Sequence, residues 1–485
     1  MKFLYTAIIF MVSMSSMWGQ RLVSVEFLST QFALGLNFLV PELQAEYDTD
    51  LYKVTYLTND IMGNEHVASG LVCVPVTSDI EDMPLACFQH GTVNGRDDVP
   101  SNEAGGHFLS IAFSTRGYVV ATPDFLGLGD SPGVHPYIHA DSEASAAYDL
   151  LLATREMMDT PEFEGINLND QLFISGYSQG GHAAMALQKS IEQGSGDDFT
   201  VTASGPMSGP YSVSESMVDF TLSPDPYETV SYIGWLTIGY QVAYPNILAG
   251  VELEDIFMPE FIPHIEAFRD EEILLDSLNT VMSEILRNTV GTVTPRNTLL
   301  PEVVDALFND PTHPLSIALA DNDVLDWTPS APTQMAYCDG DDQVTRENAI
   351  LAEEVMIANG SSSVEAIKID NTAPLDHGEC VIPASLSTLA FFEGFRNLSA
   401  VGDIGEDLGV KAYFAENTFF LDMNEASVQI AQLSIVTMAG QKVMVANDVS
   451  GETRYDLSQL DAGFYIATIT SGNRLLRTVK IVKSL

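Results

Sequence analysis

The sequence predicts an α/β protein, a mostly parallel sheet with helices on both faces, followed by a small all-β domain. Three observations carry this expectation. Short β-rich apolar runs alternate with helix-period segments between about residues 50 and 397. The alternation breaks between about 210 and 332, a stretch longer than any crossover needs. Beyond about 412 the apolar period becomes two, and glycine-containing turns recur.

The strand candidates of the main domain are Leu51–Leu57, Val67–Val76, Leu85–Gln89, Tyr118–Thr122, Leu172–Ser175, Met335–Cys338 and Val364–Ile369. Helical periodicity appears at Ser142–Met158, Gly181–Glu192, Arg346–Asn359 and Pro383–Asn397. The 210–332 excursion is rich in aromatic and large aliphatic residues, and Ile262–Leu286 within it reads as helical. It is expected to cap the site; a packed excursion with no substrate role is the alternative. In the tail, Leu433–Val436, Lys442–Val445, Gly463–Ile469 and Leu475–Val482 read as short antiparallel strands. Turns at Ala439-Gly440 and Ser471-Gly472 join them into a small β-sandwich.

Charge marks the same boundary. The chain has 485 residues and a net charge of −47, from 67 acidic and 20 basic residues. Residues 411–485 hold seven of each sign, so the whole imbalance lies before them. The expected organisation is a signal peptide (1–19), a main domain (20–399) with its cap at about 210–332, a linker (400–411) and a C-terminal β-sandwich (412–485). The acidity excludes nucleic acid and anionic membrane surfaces as partners, by repulsion.

Lys2 followed by the apolar run 3–12, with a plausible cleavage point at Gly19-Gln20, has the pattern of an export signal. No other stretch approaches transmembrane length. Export permits disulfides, and Cys73, Cys87, Cys338 and Cys380 allow three connectivities, among which the sequence does not choose. No His/Cys cluster has zinc-ligand spacing.

Gly176-Tyr177-Ser178-Gln179-Gly180 follows the apolar strand candidate and leads into a small-residue helix. A strand-to-helix turn this sharp needs glycines flanking its centre, and it lifts the Ser178 hydroxyl to a helix N-terminus, which favours developing negative charge. Ser178 is therefore the candidate nucleophile. A serine needs an adjacent base. Of the nine histidines, His377 alone lies past the last strand candidate of the main domain, in a polar loop. The acid is expected in Asp339-Gly340-Asp341-Asp342-Gln343-Val344, after the strand candidate ending at Cys338. Asp341 is favoured because it stands three before Val344; Asp339 and Asp342 compete. The acidic run lacks the 12-residue calcium-loop pattern. Acyl transfer also needs oxyanion donors. The backbone N–H groups of Gln179 and Thr92 are the candidates, with His90 bracing the loop that carries Thr92.

These segments, with Gln89-His90-Gly91-Thr92 and Pro123-Asp124-Phe125-Leu126-Gly127-Leu128-Gly129, resemble the secretory lipase branch of the α/β-hydrolases over roughly residues 45–395. The resemblance implies an α/β-hydrolase fold with a helical lid. It also implies a cofactor-free carboxylic ester hydrolase with a Ser178–Asp341–His377 triad. The lid shows no matching motif. In the tail, Leu433–Val443, Asp456–Ala467 and the terminal Lys480-Ile481-Val482-Lys483 resemble the C-terminal sorting domain of type IX secretion cargo, without its usual Pro-Asn-Pro lead. This implies type IX machinery as a partner and a secreted or surface-attached protein. An accessory carbohydrate-binding domain is the alternative.

Three functions are thus in view. They are an extracellular esterase or lipase acting on small-molecule or lipid esters, a serine peptidase acting on short peptides, and a catalytically inactive surface binding protein.

Overall fold

The computed structural model describes residues 20–77, 81–194, 198–396, 411–415, 418–423, 431–437, 442–460, 463–471 and 474–483. The expected signal peptide, the expected linker up to residue 410 and the turns at Ala439-Gly440 and Gly472 lie outside them. The chain forms two compact units, Met1–Asn397 and Leu398–Leu485.

The first unit is built on nine strands: β1 (Leu22–Gln31), β2 (Thr49–Asn59), β3 (Glu65–Pro75), β4 (Glu81–Gln89), β5 (Val119–Pro123), β6 (Ile166–Tyr177), β7 (Val201–Met207), β8 (Thr333–Tyr337) and β9 (Val364–Lys368). Their spatial order is β1-β2-β3-β5-β4-β6-β7-β8-β9. β1, β2 and β3 pair antiparallel, and β3 pairs antiparallel with β5. From β5 to β9 every pairing is parallel.

Helices cover both faces: α1 (Ala33–Leu39), α2 (His107–Ser114), α3 (Ala140–Met158) and α4 (Gln179–Gln193) come before the excursion. The period-2 geometry of a strand explains the two cores. On β4, Leu85 and Cys87 pack with Leu150 of α3 and Leu187 of α4, whereas Ala86 and Phe88 pack with Phe113 of α2.

The excursion between β7 and β8 holds six helices: α5 (Ser216–Thr221), α6 (Ser231–Ala243), α7 (Ile262–Arg269), α8 (Leu275–Thr289), α9 (Pro301–Asn309) and α10 (Pro314–Asp321). It packs an apolar core that also takes in Val93, Val99, Leu128, Tyr137 and Ile138 from the loops beneath it, and to which α8 gives Leu275, Leu278, Met282 and Leu286 at helical spacing. The single helix expected over Ile262–Leu286 is two. Asp270, Glu271 and Glu272 put negative charge at the negative end of α7, and Glu271 turns the chain with φ 60°. Two helices follow β8, α11 (Glu347–Ala358) and α12 (His377–Glu393).

β1 and β7 are strands that period reading does not find. In β7 the Gly205-Pro206 pair reads as a turn. Gly205 is there because a Cβ would collide with Thr388 of α12.

In the second unit, β10 (Lys411–Ala415), β11 (Thr418–Asp422) and β14 (Glu452–Asp456) form one sheet. β12 (Ala431–Thr437), β13 (Lys442–Val449), β15 (Gly463–Ser471) and β16 (Arg474–Lys483) form the other, and all described pairings are antiparallel. Phe419, Leu421, Leu433, Ile435, Ala467 and Ile469 share one core between them, and where four strands are expected the described residues form seven.

Candidate active site

β4 stands between β5 and β6, so the chain leaves it on one side and resumes on the other. Such a reversal opens a crevice beyond the carboxyl ends of the strands. The chain leaves β4, β6, β8 and β9 at that edge; Thr92, Ser178 and Asp341 lie in the segments after the first three, and His377 opens the helix that follows β9.

Ser178 joins β6 to α4 with φ 61° and ψ −124°, a conformation that non-glycine residues hold only when their surroundings impose it. Its N–H donates to the Met207 carbonyl at 3.0 Å, which pins the turn to β7. The hydroxyl makes no capping bond to α4. The flanking glycines are steric requirements: a Cβ on Gly176 would strike the Gly180 carbonyl, and one on Gly180 the Gln89 carbonyl.

His377 is not in a loop, as its polar surroundings suggest, but is the first residue of α12. Asp376 caps that helix, accepting the Glu379 N–H while the Glu379 carboxylate accepts the Asp376 N–H. His377 Nδ1 donates toward both Asp341 oxygens, at 2.9 and 2.8 Å. Asp341 Oδ1 also accepts the N–H groups of Gln343 and Val344, at 3.0 and 2.8 Å. The three-residue spacing to Val344 is therefore a hydrogen-bonded turn that orients the carboxylate. The rivals are engaged elsewhere. Asp339 pairs with Arg346 and Lys368, and Asp342 accepts the His377 backbone N–H at 3.2 Å. Tyr177, next to Ser178, places its ring 4.9 Å from the His377 imidazole and donates its hydroxyl to the His377 carbonyl at 2.6 Å. A disulfide, Cys338–Cys380, ties the residue after β8 to the first turn of α12; Cys73 and Cys87 are buried thiols.

Thr92 follows Gly91, where a Cβ would stand 3.4 Å from the Ser178 Cβ, so its loop lies against the serine. Its hydroxyl bonds to Tyr137 at 2.7 Å, and Tyr137 stacks on Trp235 of α6. His90 turns both ring nitrogens toward the Gly91 and Asp124 carbonyls, at 2.7 and 3.3 Å. Gln179 opens α4, so its backbone N–H belongs to the first turn, whose donors have no partner inside the helix.

Ser178 and Gln179 line a cavity whose other walls come mostly from the excursion. Its unfilled space is about 1030 Å³, part of it open to solvent, large enough for a sizeable ligand. Val218, Leu222, Leu236, Ile256, Leu299 and Leu319 line it, and none of the described lining residues is charged. Tyr232 of α6 donates to the Gln343 side chain at 2.9 Å, so the excursion also touches the acid loop. Sequence reasoning did not find Gln343, Tyr137 or Tyr232; nothing in their local pattern separates them from core residues.

Three solved structures share this architecture. The rice cell wall degrading esterase LipA from Xanthomonas oryzae superposes with a TM-score of 0.68 at 24% identity, over 77% of this chain and 99% of its own. A putative hydrolase from Legionella pneumophila gives 0.67 at 25% identity, over 79% and 100%. Candida antarctica lipase A gives 0.57 at 14%, over 78% and 83%. The larger unit has the α/β-hydrolase fold. Within that fold, the excursion between β7 and β8 is an insertion on the face that carries Ser178. Residues 415–484 match the family described as the secretion system C-terminal sorting domain, so the hydrolase-fold unit precedes a sorting domain of the type IX kind. No curated protein matches the chain.

Proposed function

We propose that the chain is an exported serine hydrolase that cleaves carboxylic esters through Ser178, His377 and Asp341. The observation that carries this reading is the conjunction of a serine in a strained strand-to-helix turn, lining an apolar cavity, with a carboxylate-held imidazole packed 4.9 Å from the ring of the preceding residue, Tyr177. In this reading, His377 Nε2 takes the hydroxyl proton as Ser178 Oγ attacks the acyl carbon. Nδ1–H stays on the ring, and Asp341 stabilises the imidazolium. The N–H groups of Thr92 and Gln179 receive the oxyanion. The acyl–oxygen bond to the alcohol then breaks, and His377 returns the proton to the leaving oxygen. Water repeats the cycle on the acyl-enzyme.

The apolar lining supports an acyl chain as the cavity's occupant, since burying each methylene contributes about 0.8 kcal/mol. The absence of charge among the described lining residues disfavours capture of a peptide terminus. That two of the structural neighbours are an esterase and a lipase supports ester cleavage. The sorting domain supports delivery outside the cell or to its surface, by type IX machinery, with residues 1–19 as the signal peptide of the first export step. The domain assignment follows: 20–399 hydrolase, 400–411 linker, 412–485 sorting domain. The test is a panel of p-nitrophenyl esters of graded acyl length, run beside aminoacyl p-nitroanilides. Ester turnover that is lost in Ser178→Ala supports the reading. Turnover of the anilides alone, or of neither, contradicts it.

A further inference from the structure

Beneath the residue that follows Ser178 lies a buried polar cluster that the proposed chemistry does not use. Glu143 of α3 and His182 of α4 are both fully buried. The two carboxylate oxygens of Glu143 are divided between two side chains of one helical turn. Oε1 accepts from Gln179 Nε2 at 2.9 Å, and Oε2 meets His182 Nδ1 at 2.7 Å. Gln179 and His182 are three apart and share a face of α4. The second Gln179 N–H points to His135 Nε2 at 2.8 Å, and His135 Nδ1 donates to the Leu126 carbonyl at 2.8 Å. The remaining His182 nitrogen meets the Asn322 carbonyl, at the end of α10, at 2.9 Å.

His182 faces an oxygen at each nitrogen, the Glu143 carboxylate at one and the Asn322 carbonyl at the other, so both ends of the ring are held. The Glu143–His182 pair is costly to bury, and apolar residues of the same volume would pack as well. Its geometry serves the Gln179 side chain, which it holds in place together with His135.

We propose that Glu143 is a positioning residue for catalysis. By fixing the side chain of Gln179 it fixes that residue's peptide plane, and so aims the Gln179 N–H at the oxyanion. It also supports the strained backbone of Ser178 from the following residue. The inference rests on the hydrolase reading above.

The test is steady-state kinetics of the full chain on a p-nitrophenyl ester, comparing wild type with Glu143→Ala, Glu143→Gln and Gln179→Met. Glu143→Ala is expected to lower kcat about 10- to 100-fold, less than complete loss of an oxyanion donor, with KM within about twofold. Glu143→Gln is expected to recover most of kcat. Its oxygen can accept from Gln179, and its amide can donate to a neutral His182 whose proton faces the Asn322 carbonyl. Gln179→Met leaves the Glu143–His182 pair intact, so it decides the matter if Glu143→Ala does not fold. It is expected to lower kcat as Glu143→Ala does. Wild-type kcat in folded Glu143→Ala or in Gln179→Met overturns the assignment alone, as does a loss in Glu143→Gln equal to that in Glu143→Ala. A wild type without Ser178-dependent turnover overturns the hydrolase reading, and the assignment with it.

Discussion

Asp341 meets His377 Nδ1 with both carboxylate oxygens, while two backbone N–H groups hold the same carboxylate from behind. Asp341→Asn keeps the shape but removes the charge that favours the imidazolium, and lets the amide select the wrong tautomer. The expected loss in kcat is about 10⁴-fold with little change in KM, by steady-state kinetics.

Cys338 stands three residues before Asp341, and Cys380 three after His377. Their disulfide closes a separation of 42 residues around that pair. Loop entropy alone assigns about 4 kcal/mol to such a cross-link. Cys338→Ser with Cys380→Ser is expected to lower both thermal stability and kcat. Denaturant titration and kinetics, with and without reductant, check this. Burial raises the thiol pKa of Cys73 and Cys87, so neither should react with a thiol reagent until the chain unfolds.

His135 carries an acid sensitivity. Burial pushes its pKa down to about 3, against about 6.5 in an unfolded chain. As pH falls, the unfolded state takes up the proton first. The stabilising contribution is complete above about pH 6.5 and declines toward pH 3. Between pH 6 and 4, His135→Gln should lose less stability than wild type, by about 1.4 kcal/mol per pH unit. Urea unfolding at stepped pH measures the difference.

Cavity length should appear as acyl-chain preference. At about 0.8 kcal/mol per buried methylene, kcat/KM should rise about fourfold per added CH₂ until the cavity is full. Leu319→Trp or Val218→Trp fills part of it. Either should depress long-chain esters selectively and leave acetate and butyrate esters near wild type, in the same ester panel.

Residues whose surroundings are local in sequence were the legible ones. Gly176 reports a steric collision with Gly180 inside the turn itself, and Val344 reports a bond to Asp341 three residues away. The start of α12 was hidden because Pro383 reads as a helix opening, whereas Asp376 and Glu379 start the helix earlier and Pro383 lies inside it. The Glu143 cluster was illegible for a different reason. Carboxylates and glutamines are ordinarily solvated, and only the packing of α3 against α4 takes these out of water. The disulfide likewise depends on the loop after β8 meeting the first turn of α12, which spacing does not encode.

The central claim is that Ser178 is a nucleophile activated by His377. Intact-mass and peptide mapping after incubation with a fluorophosphonate tests it most directly. The expected result is one phosphonyl adduct on Ser178, absent in Ser178→Ala and strongly slowed in His377→Ala. An unmodified wild type, or an adduct that persists in Ser178→Ala, would contradict it.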